Sequence, residues 1–366
     1  MHHAWIDGKP VALPTAIAAA ARLIDASRHP LIAGLGTDIA GARAAVALAQ
    51  RIGAAVDHMN ADSLLRDLEV MRQAGVMLTT PNETRVRADT LLLVGAGLIE
   101  AWNELPQRLL GAMGEPDSVR GGERRIFWLC PGHHADAADK VAIIGGDCGE
   151  LPALLAALRA RVSGRPAAER HVCARALDEL ADALKAASFG VAVWSAAHLD
   201  ALAIEMLCGI VNDLNATTRF SGLPLAPGDN AVGVQQVCGW MTGFPVRTGF
   251  GRSYPDHAPW RYSAARLVES GETDCVLWIS AYRAAVPEWR RHPPTIALTP
   301  ADAKFAKTPR VHIAVAGPGR DHDSVEHCAM IGTLVAVAAT HRSEALSVAD
   351  AIAAITAELS AEPLPC

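Results

Sequence analysis

A chain of 366 residues with 51% hydrophobic content can bury a large core, and its length suits two or more subdomains. The formal net charge of -6 and a pI near 6.2, with no basic stripe, exclude nucleic acid and anionic membrane as partners, because such surfaces reward clustered Lys and Arg. The longest uncharged apolar run, 328–340, is too short to cross a bilayer and MHHAWIDGKP lacks a signal pattern, so cytoplasm is expected. Eight cysteines with no pair at two- or three-residue spacing read as reduced thiols, without a zinc or iron–sulfur motif.

In chain order, 13–26 (LPTAIAAAARLIDA) reads as an amphipathic helix. Residues 30–57 then spell strand, glycine turn, helix and second strand. The apolar run 31–33 ends at Gly34-Leu35-Gly36, where glycines permit a sharp turn. Thr37 or Asp38 can cap a helix whose stripe is Ile39, Ala42, Val46, Ala49 and Ile52, Gly53 stops it, and 54–56 is a parallel strand. Polar, irregular sequence follows to Arg66, then a helical piece at 68–73 and a loop at 79–84. The unbroken run 91–94 suits a parallel strand covered on both faces, ended by Gly95-Ala96-Gly97. Strands at 125–130 and 141–145 flank a His133-His134 loop.

The later sequence repeats this order: helix 171–187, strand 190–194, helix 198–215, a long loop 226–260, helix 260–269, and strands 274–279, 295–298 and 311–315. With RVSGRPAAER (161–170) as a boundary, an approximate duplication into two α/β lobes, 1–165 and 166–366, is expected. Doubly wound lobes would place a cleft at the carboxyl ends of their sheets.

Several candidate sites compete. Gly34 and Gly36 follow a strand and Asp57 lies near the offset of an acidic ribose ligand, but Ile39 stands where a dinucleotide fingerprint needs its third glycine. Asp321-His322-Asp323 with Glu326-His327-Cys328 invites a metal, although the spacing fits no common zinc or iron pattern. Cys238 and Cys328 read as inert thiols. The loop 226–260 is dense in Gly, Pro, amide and aromatic residues. Asn230, Gln235, Gln236, Thr242, Arg247 and Arg252 there can present donors to an anionic ligand or partner, or satisfy backbone groups of a packed loop.

The residues resemble a family along nearly the whole chain. HPLIAGLGTDIAGARAAVALAQRIGAAVD, RADTLLLVGAGLIEAWNELPQRLL and above all DNAVGVQQVCGWMTGFPVRTGFGRSYPDHAPW, followed by LVESGETDCVLWIS, resemble the B-type subunit of formylmethanofuran dehydrogenase, a relative of the molybdopterin oxidoreductases. The resemblance implies two doubly wound Rossmann-like lobes of the molybdopterin oxidoreductase type. The family's N-terminal iron–sulfur cysteines and its metal-ligating Cys or selenocysteine have no counterpart here, and Val325-Glu326-His327-Cys328 stands where redox members carry Tyr-Arg-Met-Asp.

The shortened form is similar to the B-type subunit of the formyltransferase/hydrolase complex of methylotrophs. That likeness implies a non-redox structural role, with no cofactor and no catalytic residue of its own. Its partners would be amidohydrolase-like, formyltransferase-like and third structural subunits, in a complex that moves a formyl group from tetrahydromethanopterin to a methanofuran-like carrier and releases formate. Gly34, Gly36, Asn230, Trp240, Thr242, Arg247 and Arg252 would line a vestigial cofactor cleft, into which, or against a partner, Trp240, Phe244, Phe250 and Tyr254 are expected to pack. A molybdopterin- or tungstopterin-binding dehydrogenase subunit of the same family is the alternative reading, and an NAD-type dehydrogenase or small-ligand-binding protein a further one.

Overall fold

Strands that are apolar at every position need cover on both faces, and two parallel sheets supply the frame for such strands here. The structure is a computed structural model that describes residues 3–110, 124–132, 141–146, 151–166 and 173–360, so the expected His133-His134 loop lies outside the described residues. Two units divide the chain. The first comprises Met1–Ala61, Gly228–His327 and Leu334–Cys366; the second comprises Asp62–Pro227 and Cys328–Thr333.

The first unit holds a nine-stranded sheet in the order Asp256–His257, Thr248–Gly249, Ala55–Val56, Pro30–Gly36, Cys275–Ser280, Thr295–Thr299, Val311–Ala314, Ala4–Ile6 and Lys9–Pro10. Its five central strands are parallel and its outer ones antiparallel. A row of helices packs with it: Leu13–Asp25 against Val348–Glu358, that helix against Ile39–Ile52, and Ile39–Ile52 against Ala231–Thr242. Asp38 caps Ile39–Ile52 by accepting the Gly41 N–H (2.9 Å), and Gly53 ends it at φ +69°, as the sequence indicates.

The second unit holds five parallel strands in the order Val141–Ile144, Arg125–Leu129, Thr90–Val94, Gly190–Trp194 and Phe220–Pro224. Alternation divides their side chains between two cores. Leu92, Val94, Ala192 and Trp194 join the helices Leu151–Val162, Ala174–Lys185 and Ala201–Leu214 on one face. Leu91, Leu93, Trp128, Val191 and Val193 form the other.

Several expectations need correction. The boundary expected at 165/166 falls inside the second unit, and strands from both halves share each sheet, Pro30–Gly36 beside Cys275–Ser280 and Thr90–Val94 beside Gly190–Trp194. Apolar runs look alike in sequence and do not announce their neighbours. The stretch before Arg66 is helical from Ala61 to Ala74, because its polar residues find tertiary partners: Arg66 donates to the Leu199 carbonyl (3.0 Å) and Asp67 accepts the Trp194 indole N–H (2.8 Å). The loop at 79–84 contains the start of helix Pro81–Arg87, whose cap Thr80 accepts the Glu83 N–H (3.2 Å). Thr80-Pro81-Asn82-Glu83 thus has the pattern of a capping box. The long loop also contains a helix, Ala231–Thr242, and two short strands.

Gly34-Leu35-Gly36 is not a turn but the end of its strand. Gly34 (φ +82°) and Leu35 (φ +54°) make an irregularity where the pairing with Cys275–Ser280 shifts register, and a Cβ on Gly34 would stand 2.4 Å from the Ile279 carbonyl oxygen. Gly34→Ala should therefore cost roughly 2 to 5 kcal/mol, from the left-handed penalty and overpacking together. Gly75→Ala, also left-handed but with open space around it, should cost only about 1 kcal/mol. Denaturant unfolding of both variants checks the difference.

Candidate functional site

In an α/β sheet, the binding crevice opens at the carboxyl ends of the strands where strand order reverses. In the first unit this point lies between Pro30–Gly36 and Cys275–Ser280. The chain fills it with its own polar groups. Asp229 and Asn230, both left-handed (φ +59° and +55°), open helix Ala231–Thr242 over Gly36, whose added Cβ would sit 3.5 Å from the Asp229 Cβ and 3.0 Å from the Met59 Cε. Arg283 donates to both Asp229 oxygens, Nε to Oδ1 at 2.9 Å and Nη2 to Oδ2 at 2.7 Å. Asn60 donates to the Gly228 carbonyl (3.1 Å) and Asn230 to the Thr37 carbonyl (2.9 Å), while the Asn230 side-chain oxygen accepts the His327 N–H (2.9 Å).

His58 completes this lock. Its Nδ1 accepts the Asn60 N–H (2.9 Å), and its Nε2 faces the Asp229 carbonyl (3.2 Å), which can only accept, so the neutral Nε2–H tautomer satisfies both partners. Burial pushes its pKa down to about 4, against the pull of Asp229.

In the second unit the order reverses between Thr90–Val94 and Gly190–Trp194. Here too the glycines after the strand are covered: a Cβ on Gly95 would meet Leu199 Cδ2 at 2.8 Å, and one on Gly97 would meet the His198 ring at 2.2 Å. Arg66 anchors the covering segment through the Ala196 and Leu199 carbonyls. Asp67, which accepts from Trp194, is raised to about 6 by burial, with the indole hydrogen bond pulling the other way.

Of the residues singled out in sequence, Gly34, Gly36 and Asn230 meet at the first crevice. Arg247 lies one strand away, paired with buried Asp57 (Nε to Oδ1 3.3 Å), which also accepts the Ala264 N–H (2.8 Å). That carboxylate is spent inside the fold and is not poised for a ribose. Thr242 folds back on the Cys238 carbonyl (2.7 Å), while Trp240 and Arg252 are exposed. Phe250 is buried, and Trp240, Phe244 and Tyr254 stand on the surface of this chain. Gln235 and Gln236 each keep a buried side-chain oxygen without a hydrogen-bond partner.

Among the described residues no group of three or more His, Cys, Asp or Glu can hold a metal: Asp321 is engaged by Arg320 (2.7 Å), Asp323 by Arg342 (2.9 Å), and Glu326 by Ser324 (2.6 Å). Burial pushes the Cys238 and Cys275 thiols up to about 12 and Cys208 to about 11, so they are not thiolates at neutral pH. Sequence reasoning missed His58, Asn60, Asp229 and Arg283. The available signal was position, since each lies within a few residues of a strand end or helix start that faces the crevice.

Fold and crevices define a mixed α/β protein with parallel sheets whose reversal points are closed by the chain's own side chains. No family model matches the chain. Among curated proteins it is 36% identical over 320 residues to the B-type subunit of the formyltransferase/hydrolase complex Fhc of Methylorubrum extorquens, covering 87% of this chain and 86% of that protein. It is 28% identical over 287 residues to the B-type subunit of the tungsten-containing formylmethanofuran dehydrogenase 2 of Methanocaldococcus jannaschii, covering 75% of this chain and 65% of that one. The structure matches a chain in the crystal structure of the formyltransferase/hydrolase complex from Methylorubrum extorquens with methylofuran, with a TM-score of 0.86, 33% identity and coverage of 96% and 97%. The chain belongs to the family of the B-type subunits of formyltransferase/hydrolase complexes.

The depressed pKa of His58 makes a signed prediction. An unfolded His takes its proton near 6.5 and the folded one only near 4, so stability is present above 6.5 and is lost as pH falls through about 4. The full loss is roughly 3 kcal/mol. Asp67 runs oppositely, its contribution being lost as pH rises from 3.8 through about 6. The difference between wild type and His58→Gln, followed by urea unfolding from pH 7.5 to 4, removes the Asp67 term and should show the wild type losing its advantage below 6.5.

Proposed function

We propose that this chain is a structural, non-redox component of a formyltransferase/hydrolase complex, in which other subunits move a formyl group from tetrahydromethanopterin to a methanofuran-like carrier and release formate. The kinship with the Methylorubrum extorquens protein, and with a chain of a solved four-subunit complex, supports the assembly. One observation carries the absence of chemistry in this chain: the reversal point of each sheet is occupied by the chain's own groups, Asp229, Arg283 and Met59 in one and His198 and Leu199 in the other. Partners of the amidohydrolase-like, formyltransferase-like and third structural kind, and a cytoplasmic location, belong to the same reading. Among the described residues no helix is long and apolar enough to cross a membrane.

The strand-order reversals further support lobes of the doubly wound, Rossmann-like type found in molybdopterin oxidoreductases. The pterin and tungsten or molybdenum that such lobes imply do not fit the residues present. A phosphate approaching Gly36 or Gly97 would have to displace the Asp229–Arg283 pair or the His198 ring. The Gly34 and Gly36 side of the vestigial cleft is thus a sealed structural joint. Metal and pterin analysis of the purified complex tests this reading, with no stoichiometric molybdenum, tungsten or pterin expected on this chain. A stoichiometric pterin would favour the dehydrogenase alternative.

A further inference from the structure

In the first unit, large apolar side chains crowd the surface between positions 240 and 260. Trp240, Met241, Phe244 and Tyr254 are exposed, and Trp260 retains 75% of its accessible surface. They lie on the end of helix Ala231–Thr242 and beside Asp256–His257, the strand at one edge of the nine-stranded sheet. A folded chain gains nothing from holding such side chains in water.

Two of these aromatics are held in place. Phe244 is fixed by its N–H to the Thr242 hydroxyl (3.0 Å) and stacks on His257 (centroids 5.9 Å, planes 14° apart). The Arg266 guanidinium lies 4.6 Å from the Trp260 ring centroid, clamped by Glu272 at 2.5 and 2.9 Å and by the Arg261 carbonyl at 2.7 Å. Side chains already ordered lose little entropy on docking, and Trp, Tyr and Arg dominate the binding energy of protein interfaces.

Charge narrows the occupant. The single carboxylate of Asp256 faces Arg261 at 3.0 Å, the Tyr262 hydroxyl at 2.7 Å and Arg252 at 4.0 Å. One anion between two guanidiniums leaves this surface locally positive on a chain whose net charge is -6. A twofold contact of the patch with itself would bring two locally positive surfaces together, which like-charge repulsion opposes. A different protein with carboxylates at the rim suits it.

We propose that this aromatic and arginine surface is the docking site for another subunit of the complex, one that presents an apolar depression rimmed by Asp or Glu. The proposal rests on the structural reading above, and the test separates the two. The remaining subunits are purified and titrated with the full-length wild-type chain and with Trp240→Ala, Trp260→Ala, Arg252→Glu and Leu202→Ala. Leu202 is an exposed control in the other unit. Complex formation is read by calorimetry and size exclusion, self-association by analytical ultracentrifugation, and folding by thermal unfolding.

Each Trp variant and Arg252→Glu should weaken association at least about tenfold, Leu202→Ala should not, and all should unfold at the wild-type midpoint. If a Trp variant does not fold, Arg252→Glu decides, because its side chain is 61% exposed and an exposed ion pair contributes little to folding. Wild-type chain that binds no other subunit defeats the functional reading. Wild-type chain that binds while the patch variants bind equally well overturns the docking site alone. Loss of self-association only, with hetero-assembly intact, overturns it in favour of a second copy.

Discussion

The close approach of two backbones holds the first unit together. Gly34 lies so near the Ile279 carbonyl that no side chain fits between them, and this contact lets Pro30–Gly36 run beside Cys275–Ser280 although they lie far apart in the sequence. Because neighbours in a parallel sheet share one direction, the ends of both strands emerge on the same side. Thr37, Asp38, Ser280 and Arg283 are thereby brought to one place, and the turn containing Asp229 and Asn230 can cover it. Without that backbone contact the polar lock has no floor.

The lock is chemically closed. Asp229 is nearly buried, yet its charge is answered by a two-point contact with Arg283, the arrangement that makes a carboxylate tolerable away from water. Left-handed Asp229 and Asn230 are conformations with an energetic cost, and the partners of Asn230 at Thr37 and His327 hold them in place. Strain of this kind marks active sites in many enzymes; here the same geometry seals a crevice. Family kinship and sealed geometry both support the structural role proposed above.

Local features are legible in the sequence where one short-range rule decides. The helix Ile39–Ile52, its Asp38 cap and its Gly53 stop follow from residues within a few positions of each helix end, and Gly190–Trp194 from an unbroken apolar run. Thr80-Pro81-Asn82-Glu83 carries an equally local signal, masked because Thr, Pro and Asn together look like a loop. Pairing is not legible: Leu31 and Val276, or Leu91 and Val191, are adjacent through hydrogen bonds that carry no signature in either segment. The crevice is legible only in part. Gly34, Gly36 and Asn230 stand out by type, but the roles of His58 and Arg283 depend on strands that meet across long separations. The family resemblance supplies what periodicity does not.

The sequence of the second unit is inserted within that of the first, and this orders events on the ribosome. After Ala61 has emerged, the first unit possesses the strands Ala4–Ile6, Lys9–Pro10, Pro30–Gly36 and Ala55–Val56 but none of the three, from Cys275 to Ala314, that separate Pro30–Gly36 from Ala4–Ile6. The second unit, whose five described strands all lie between Asp62 and Pro227, has these strands in hand first. Nascent chain folding therefore proceeds from the middle outward, and the N-terminal strands wait with unpaired edges through most of translation. In such a chain the long-range closure is the slow step and the interval most exposed to aggregation.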